Sequence, residues 1–113
     1  MRRSHKLFVE DIRDSVEKIE RYIKGLSYEE FIENEIVIDA VIRNLEVIGE
    51  ASTNIPEDIR KKYSVIPWKR MIGLRNIMIH GYFGVDLGII WEIITRNLPE
   101  TKPLIMKILE EIK

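Results

Sequence analysis

The chain contains no cysteine, so neither disulfides nor thiolate metal sites are available to it. Histidine is scarce as well. His5 and His80 are the two present, far apart, which speaks against a histidine-rich metal centre. No metal and no cofactor is therefore expected. Glutamine is missing and alanine occurs only as Ala40 and Ala51, against 21 isoleucines and 14 glutamates. Such Glu-, Lys- and Ile-rich, amide-poor usage fits a thermophile. No apolar run approaches the roughly 18 residues of a membrane span. No uninterrupted apolar segment follows the charged start, so a signal peptide is not expected and a cytoplasmic protein is. The net charge is −1, which excludes a general nucleic-acid binder held by its overall field.

What remains is a globular balance, 45% hydrophobic and 33% charged over 113 residues, enough for one domain and one core. The whole of 1–113 reads as a single domain. The charge is unevenly spread. Arg60, Lys61, Lys62, Lys69, Arg70 and Arg75 lie between Asp58 and His80 with no acid among them. Such a run is either a solvated face or a patch for a phosphate backbone. Lys69 and Arg70 are the RNA-binding candidates within it.

Hydrophobic periodicity predicts an all-α antiparallel bundle. Leu7, Val9, Ile12, Val16, Ile19, Ile23 and Leu26 recur at helical spacing, and Gly25 marks a stop. Ser27 and Glu30 form a capping box for a short turn from Tyr28 to Ile32. A long helix is expected from about Glu35 to Thr53. Asn54 and Pro56 open a short one through Tyr63. Pro67 opens a longer segment reaching His80, where Gly81 permits a stop. Asp86 caps a helix through about Asn97, and Pro99 or Thr101 begins the last.

Two stretches carry candidate chemistry. On the long helix, Asp39, Arg43, Glu46 and Glu50 fall in one narrow stripe while nearly every other direction is apolar. The stripe faces either solvent or a polar cleft, and Gly49 on its flank would admit a close neighbour. The second stretch, Arg75-Asn76-Ile77-Met78-Ile79-His80-Gly81-Tyr82, gathers an arginine, an asparagine, a histidine and a tyrosine within eight residues. Histidine alone titrates unperturbed near neutral pH, and the arginine fork suits phosphate. Together they suggest phosphodiester chemistry. The wheel places Gly73, Asn76 and His80 on one face with Arg75 at its edge. Each residue also has a bland reading. Arg75 pairs with a glutamate, Asn76 satisfies a backbone group, His80 favours a helix C-terminus, and Tyr82 packs in the core.

The series Asp39-Ala40-Val41-x-Arg43-x-Leu45-Glu46-x-Ile48-Gly49-Glu50-Ala51, then Ile66-Pro67-Trp68, Gly73-Leu74-Arg75-Asn76, His80-Gly81-Tyr82, Val85-Asp86 and Trp91, resembles the HepT-like branch of the HEPN superfamily. The resemblance covers nearly the whole chain. It implies a HEPN-like helical bundle that forms a two-fold homodimer, and the toxin of a prokaryotic type VII toxin–antitoxin pair. It implies a ribonuclease whose catalytic residues are Arg75 and His80. The implied partner is a minimal nucleotidyltransferase antitoxin of the MntA type, which attaches AMP to Tyr82 and silences the toxin.

Joined to that resemblance, the residues describe a metal-independent endoribonuclease acting on an RNA substrate. Such an enzyme needs a base, an acid and donors for phosphate charge, and two copies of His80 and Arg75 across a dimer axis supply them. Asn76, Glu46, Glu50 and Arg43 are then supporting residues. The alternatives are a non-catalytic HEPN binding module, holding a nucleotide or the nucleotidyltransferase, and a structural dimer in which Arg75 and His80 are internal glue.

Overall fold

The computed structural model describes residues 4–76 and 86–112. They form an all-α antiparallel bundle measuring 40 × 28 × 26 Å. The elements are α1 (His5–Ile23), α2 (Tyr28–Ile32), α3 (Glu35–Thr53), α4 (Glu57–Lys62) and α5 (Trp68–Gly73). A 3₁₀ turn (Leu74–Asn76) follows α5, and α6 (Leu87–Glu92) and α7 (Leu98–Glu111) are joined by a π-helical turn (Ile93–Asn97).

The first half of the chain follows its local code. α1 ends where Gly25 takes a φ of +80°, the left-handed region that suits glycine. In α2, the Ser27 hydroxyl accepts from the Glu30 amide at 3.1 Å, and the Glu30 carboxylate accepts from the Ser27 amide at 2.9 Å. These reciprocal bonds draw the Glu30 pKa below its ordinary value, the backbone bond contributing most. α3 begins under an Asn34 cap and runs the predicted length.

α3 is the centre of the bundle. Val41, Leu45 and Ile48 are fully buried, and Ile38, Ile42 and Ala51 nearly so. Against them pack Val9, Ile12, Val16 and Ile19 of α1, and α7, which packs on α1, adds Ile105 and Ile108 to the same core. Phe31 of α2 stacks on Trp91 of α6 with centroids 5.1 Å apart. Two long-range polar contacts fasten the ends. Lys102 of α7 bonds Glu20 of α1 at 2.8 Å, and the Tyr63 hydroxyl donates to Glu111 at 3.1 Å.

Two expectations are corrected. The helix expected from Pro67 onward is α-helical only to Gly73, then tightens to 3₁₀ over Leu74–Asn76. Glycine is a weak helix former, and the backbone after it is pressed against α3. The rest of that expectation, through His80 and Gly81, lies outside the described residues. The second concerns the junction after Asn97: the last helix begins at Leu98 with Pro99 in its first turn, as expected, but the helix before it does not stop. Ile93, Asn97 and Leu98 all keep helical torsions, so α6, the π turn and α7 form one continuous rod. Pro99 sits in the first turn of α7, where its missing N–H is tolerated, and the π turn before it takes up the irregularity.

Candidate active site

The segment bearing Arg75 is positioned by burial on one side and by an absent side chain on the other. Trp68 and Met71 of α5 are buried three residues apart, which presses one face of that helix onto the core. The Trp68 indole donates to the Tyr63 carbonyl at 3.2 Å and fixes where the helix starts. At the other end, the Arg75 backbone lies directly on Gly49 of α3. A methyl group built on Gly49 would overlap the Arg75 amide nitrogen and stand 2.8 Å from its Cα. The close approach expected at Gly49 is therefore present, and its neighbour is Arg75 itself.

That contact puts Arg75 and Asn76 at the wall of a cleft of about 580 Å³ between α1, α3 and the 3₁₀ turn. Arg43, Glu46 and Glu50 line it from α3. The charged stripe of the long helix thus faces a polar cleft shared with Arg75 and Asn76. Arg43 and Glu46 stand 3.9 Å apart within it, with the guanidinium largely exposed and the carboxylate half-buried. Asn54, at the end of α3, also lines the cleft and donates its side-chain amide to the Glu50 carbonyl at 3.0 Å.

Sequence reasoning missed the contribution of α1. Phe8 and Asp11 form part of the same wall. They lie more than thirty residues before Glu46, and nothing local marks them. The available signal was their spacing, i and i+3, which puts both on one side of α1. Among the described residues the cleft is therefore lined by three acids, Asp11, Glu46 and Glu50, and two arginines, Arg43 and Arg75. Among the described residues no three acids or histidines are grouped so as to hold a metal ion.

The remaining candidates lie elsewhere. Lys69 lines a separate groove with Arg60, Lys61 and Trp68. Arg70 and Gly73 line a third cavity, with Glu100 and Leu104 of α7. Gly73 thus does not share the Arg75 cleft, and a methyl group there would meet open space. His80 and Tyr82 lie outside the described residues.

The model of the family described as "Ribonuclease HepT-like" matches residues 12–108, which includes α3, the Gly49–Arg75 contact and the histidine segment. The chain belongs to the HepT-like ribonuclease family. Its relatives include "Probable ribonuclease HepT" from Thermococcus cleftensis, 42% identical over 90% of this chain and 93% of the relative. "Putative RNase MJ1380" from Methanocaldococcus jannaschii is 46% identical over 89% of this chain and 93% of its own length. In the same organism, a longer protein named "Gamma-glutamylcyclotransferase and putative RNase MJ0434" is 44% identical over 99% of this chain. The chain spans half of that relative's length. No solved structure matches. As a HepT-like chain, the protein has the all-α architecture that its sequence resemblance implies.

Proposed function

We propose that this HepT-like chain is a metal-independent endoribonuclease in which Arg75 and His80 do the chemistry at a cleft completed by a two-fold dimer. The observation that carries this reading is the lodging of Arg75. Its backbone is held on Gly49 while its side chain is exposed at a polar cleft, in a chain of the ribonuclease HepT-like family. An arginine serving only as internal glue would be buried against its partner, and Arg75 is not buried.

In the proposed reaction, one His80 takes the proton of an RNA 2′-hydroxyl. The freed oxygen attacks the adjacent phosphorus, and the bond to the 5′-oxygen of the next nucleotide breaks. The second His80, from the partner, gives that leaving oxygen its proton. The products are a 2′,3′-cyclic phosphate and a 5′-hydroxyl, so no water or metal-bound hydroxide is consumed in the cut. Arg75 donates to the phosphate oxygens as negative charge builds on them, a contribution typically worth a hundredfold or more in rate. Glu46, Glu50 and Arg43 set the charge around the guanidinium, and Asn76 orients the segment that leads to His80.

The same reading makes the chain the toxin of a type VII pair. A minimal nucleotidyltransferase of the MntA type attaches AMP to Tyr82, two residues beyond His80. The added phosphate and bulk repel and obstruct RNA at the cleft mouth. Co-expression with such a partner is expected to raise the intact mass by one or more AMP units in the wild type and not in Tyr82→Phe. An unchanged wild-type mass with an active partner contradicts this regulation.

The reaction itself is tested by the ends it leaves. Purified, unmodified protein in chelator-containing buffer is expected to produce RNA fragments with 2′,3′-cyclic phosphate and 5′-hydroxyl ends. Fragments that form only with added magnesium, or that carry 3′-hydroxyl and 5′-phosphate ends, contradict the mechanism.

A further inference from the structure

The described lining of the Arg75 cleft carries no net positive charge. It presents three carboxyl groups against two guanidinium groups, and the chain as a whole carries a charge of −1. A polyanion is drawn by local cations, and each phosphate neutralised adds affinity through counterion release. A cationic surface elsewhere on the chain would add to that attraction.

Such a surface lies on α4 and α5. A groove of about 520 Å³ runs between α4 and α5, with Arg60, Lys61 and Lys69 on its walls and Glu57 as its one acid. Its floor is formed by Ile66, Pro67, Trp68 and Ile72. The Arg60 guanidinium is fastened by a bond from Nε to the Ile55 carbonyl at 3.1 Å, so that cation is pre-placed. Lys61 is free to reach, since its ammonium is 3.6 Å from Glu57 in a pair that is about three-quarters exposed on both sides. Exposed pairs of this kind are easily exchanged for a stronger partner. The groove also shares the segment that carries Arg75. Lys69 and Ile72 line it from α5, and Arg75 follows three residues after Ile72 on the 3₁₀ turn. Six residues at 1.5 to 2.0 Å each separate Lys69 from Arg75 by roughly 10 Å along the axis, the span of a few nucleotides.

We infer that the α4–α5 groove is the track that holds the RNA backbone leading to Arg75, with Lys61 and Lys69 as its phosphate contacts and Arg60 as its fixed edge. This rests on the ribonuclease reading above. The contacts are to phosphate, so the groove supplies affinity and direction rather than base preference.

The test uses the full chain and a fluorescein-labelled single-stranded RNA. Binding is followed by anisotropy across a salt series, and cleavage is followed in parallel. Lys61→Ala/Lys69→Ala removes two exposed ammonium groups and leaves the core untouched. It is expected to weaken binding roughly tenfold at 0.1 M salt. It should also flatten the logarithmic salt slope by about 1.4, the value for two single-strand phosphate contacts. Lys61→Arg/Lys69→Arg is expected to keep the slope. Lys18→Ala/Lys107→Ala, which removes two exposed lysines of α1 and α7, is expected to leave both affinity and slope unchanged. If the wild type binds and cuts RNA and Lys61→Ala/Lys69→Ala matches it in affinity and slope, the groove is overturned and the ribonuclease reading stands. If the wild type neither binds nor cuts, the ribonuclease reading fails and the groove falls with it.

Discussion

Two glycines in the chain look alike in sequence and do opposite things in the fold. Both Gly49 and Gly73 invite a close neighbour when read from sequence. Gly49 has one, the backbone of Arg75, and Gly73 has none within 4 Å among the described residues. Gly49→Ala is therefore expected to push the 3₁₀ turn off α3. The predicted cost is about 1–3 kcal/mol of stability, the usual range for overpacking. The same shift moves the Arg75 side chain, and displacements of about 1 Å at a reacting centre can cost on the order of a hundredfold in rate. Gly73→Ala adds a methyl group in open space and is expected to stabilise by roughly 0.4–1 kcal/mol, because alanine loses less chain entropy than glycine. Chemical denaturation and an RNA-cleavage assay on both variants check the contrast. Equal effects would show that Gly49 is not the seat of Arg75. Sequence alone could not separate these residues, because a glycine on a helix face is silent about what approaches it. It did group Glu46, Glu50 and Arg43 on one face of α3, since helical spacing determines which side chains share a face, and it left open whether that face met solvent or a cleft. Asp11 and Phe8 escaped for the converse reason. Their nearness to α3 is tertiary, and α1 carries charged residues around much of its circumference.

Among the elements, boundaries were legible where a local chemical device sets them. Ser27 with Glu30, Gly25 and Asp86 act within three residues of themselves, and all three mark ends in the structure. The Asp86 carboxylate accepts from the Gly88 and Ile89 amides at 2.8 and 3.2 Å. Pro99 was legible in part, because it sits in the first turn of α7 as expected, yet α7 continues the same rod as α6 and the π turn. That rod is tied to α1 by Lys102, whose ammonium lies 2.8 Å from Glu20 and 3.6 Å from Glu17. The hydrogen bond to Glu20 is the main reason its pKa is raised, with partial burial opposing. A lysine whose folded pKa exceeds its unfolded value of about 10.4 stabilises fully below that pH. The contribution is lost as pH rises through the raised folded value. Lys102→Met is therefore expected to cost about 0.5–1 kcal/mol at pH 7, as a partly exposed network should. The gap from wild type is expected to close above pH 10.4. Denaturant unfolding at several pH values measures it, and a gap that stays constant across that range contradicts the assigned role.

For the molecule as a whole, the all-α class and its family follow from patterns that run the length of the chain. One chain leaves large apolar side chains uncovered on α3 and α6. Ile36 at the start of α3 is 82% exposed, and Ile89 on α6 is 60% exposed. Large apolar side chains left uncovered are the surface a second copy would bury. The chain is expected to sediment at twice its monomer mass at micromolar concentration, and Ile36→Glu with Ile89→Glu is expected to shift it toward monomer. A monodisperse monomer in the wild type would remove the second His80 and, with it, the division of acid and base between two copies. The central claim is that Arg75 and His80 together cut RNA without a metal. Its most direct test is the single-turnover cleavage rate, in chelator, of Arg75→Ala and of His80→Ala beside the wild type. The account predicts measurable cleavage by the wild type and a loss of a hundredfold or more in each variant, on the order of what one donor or one acid–base group supplies. Both variants should remain folded and dimeric. Wild-type rates in a folded His80→Ala protein would contradict it.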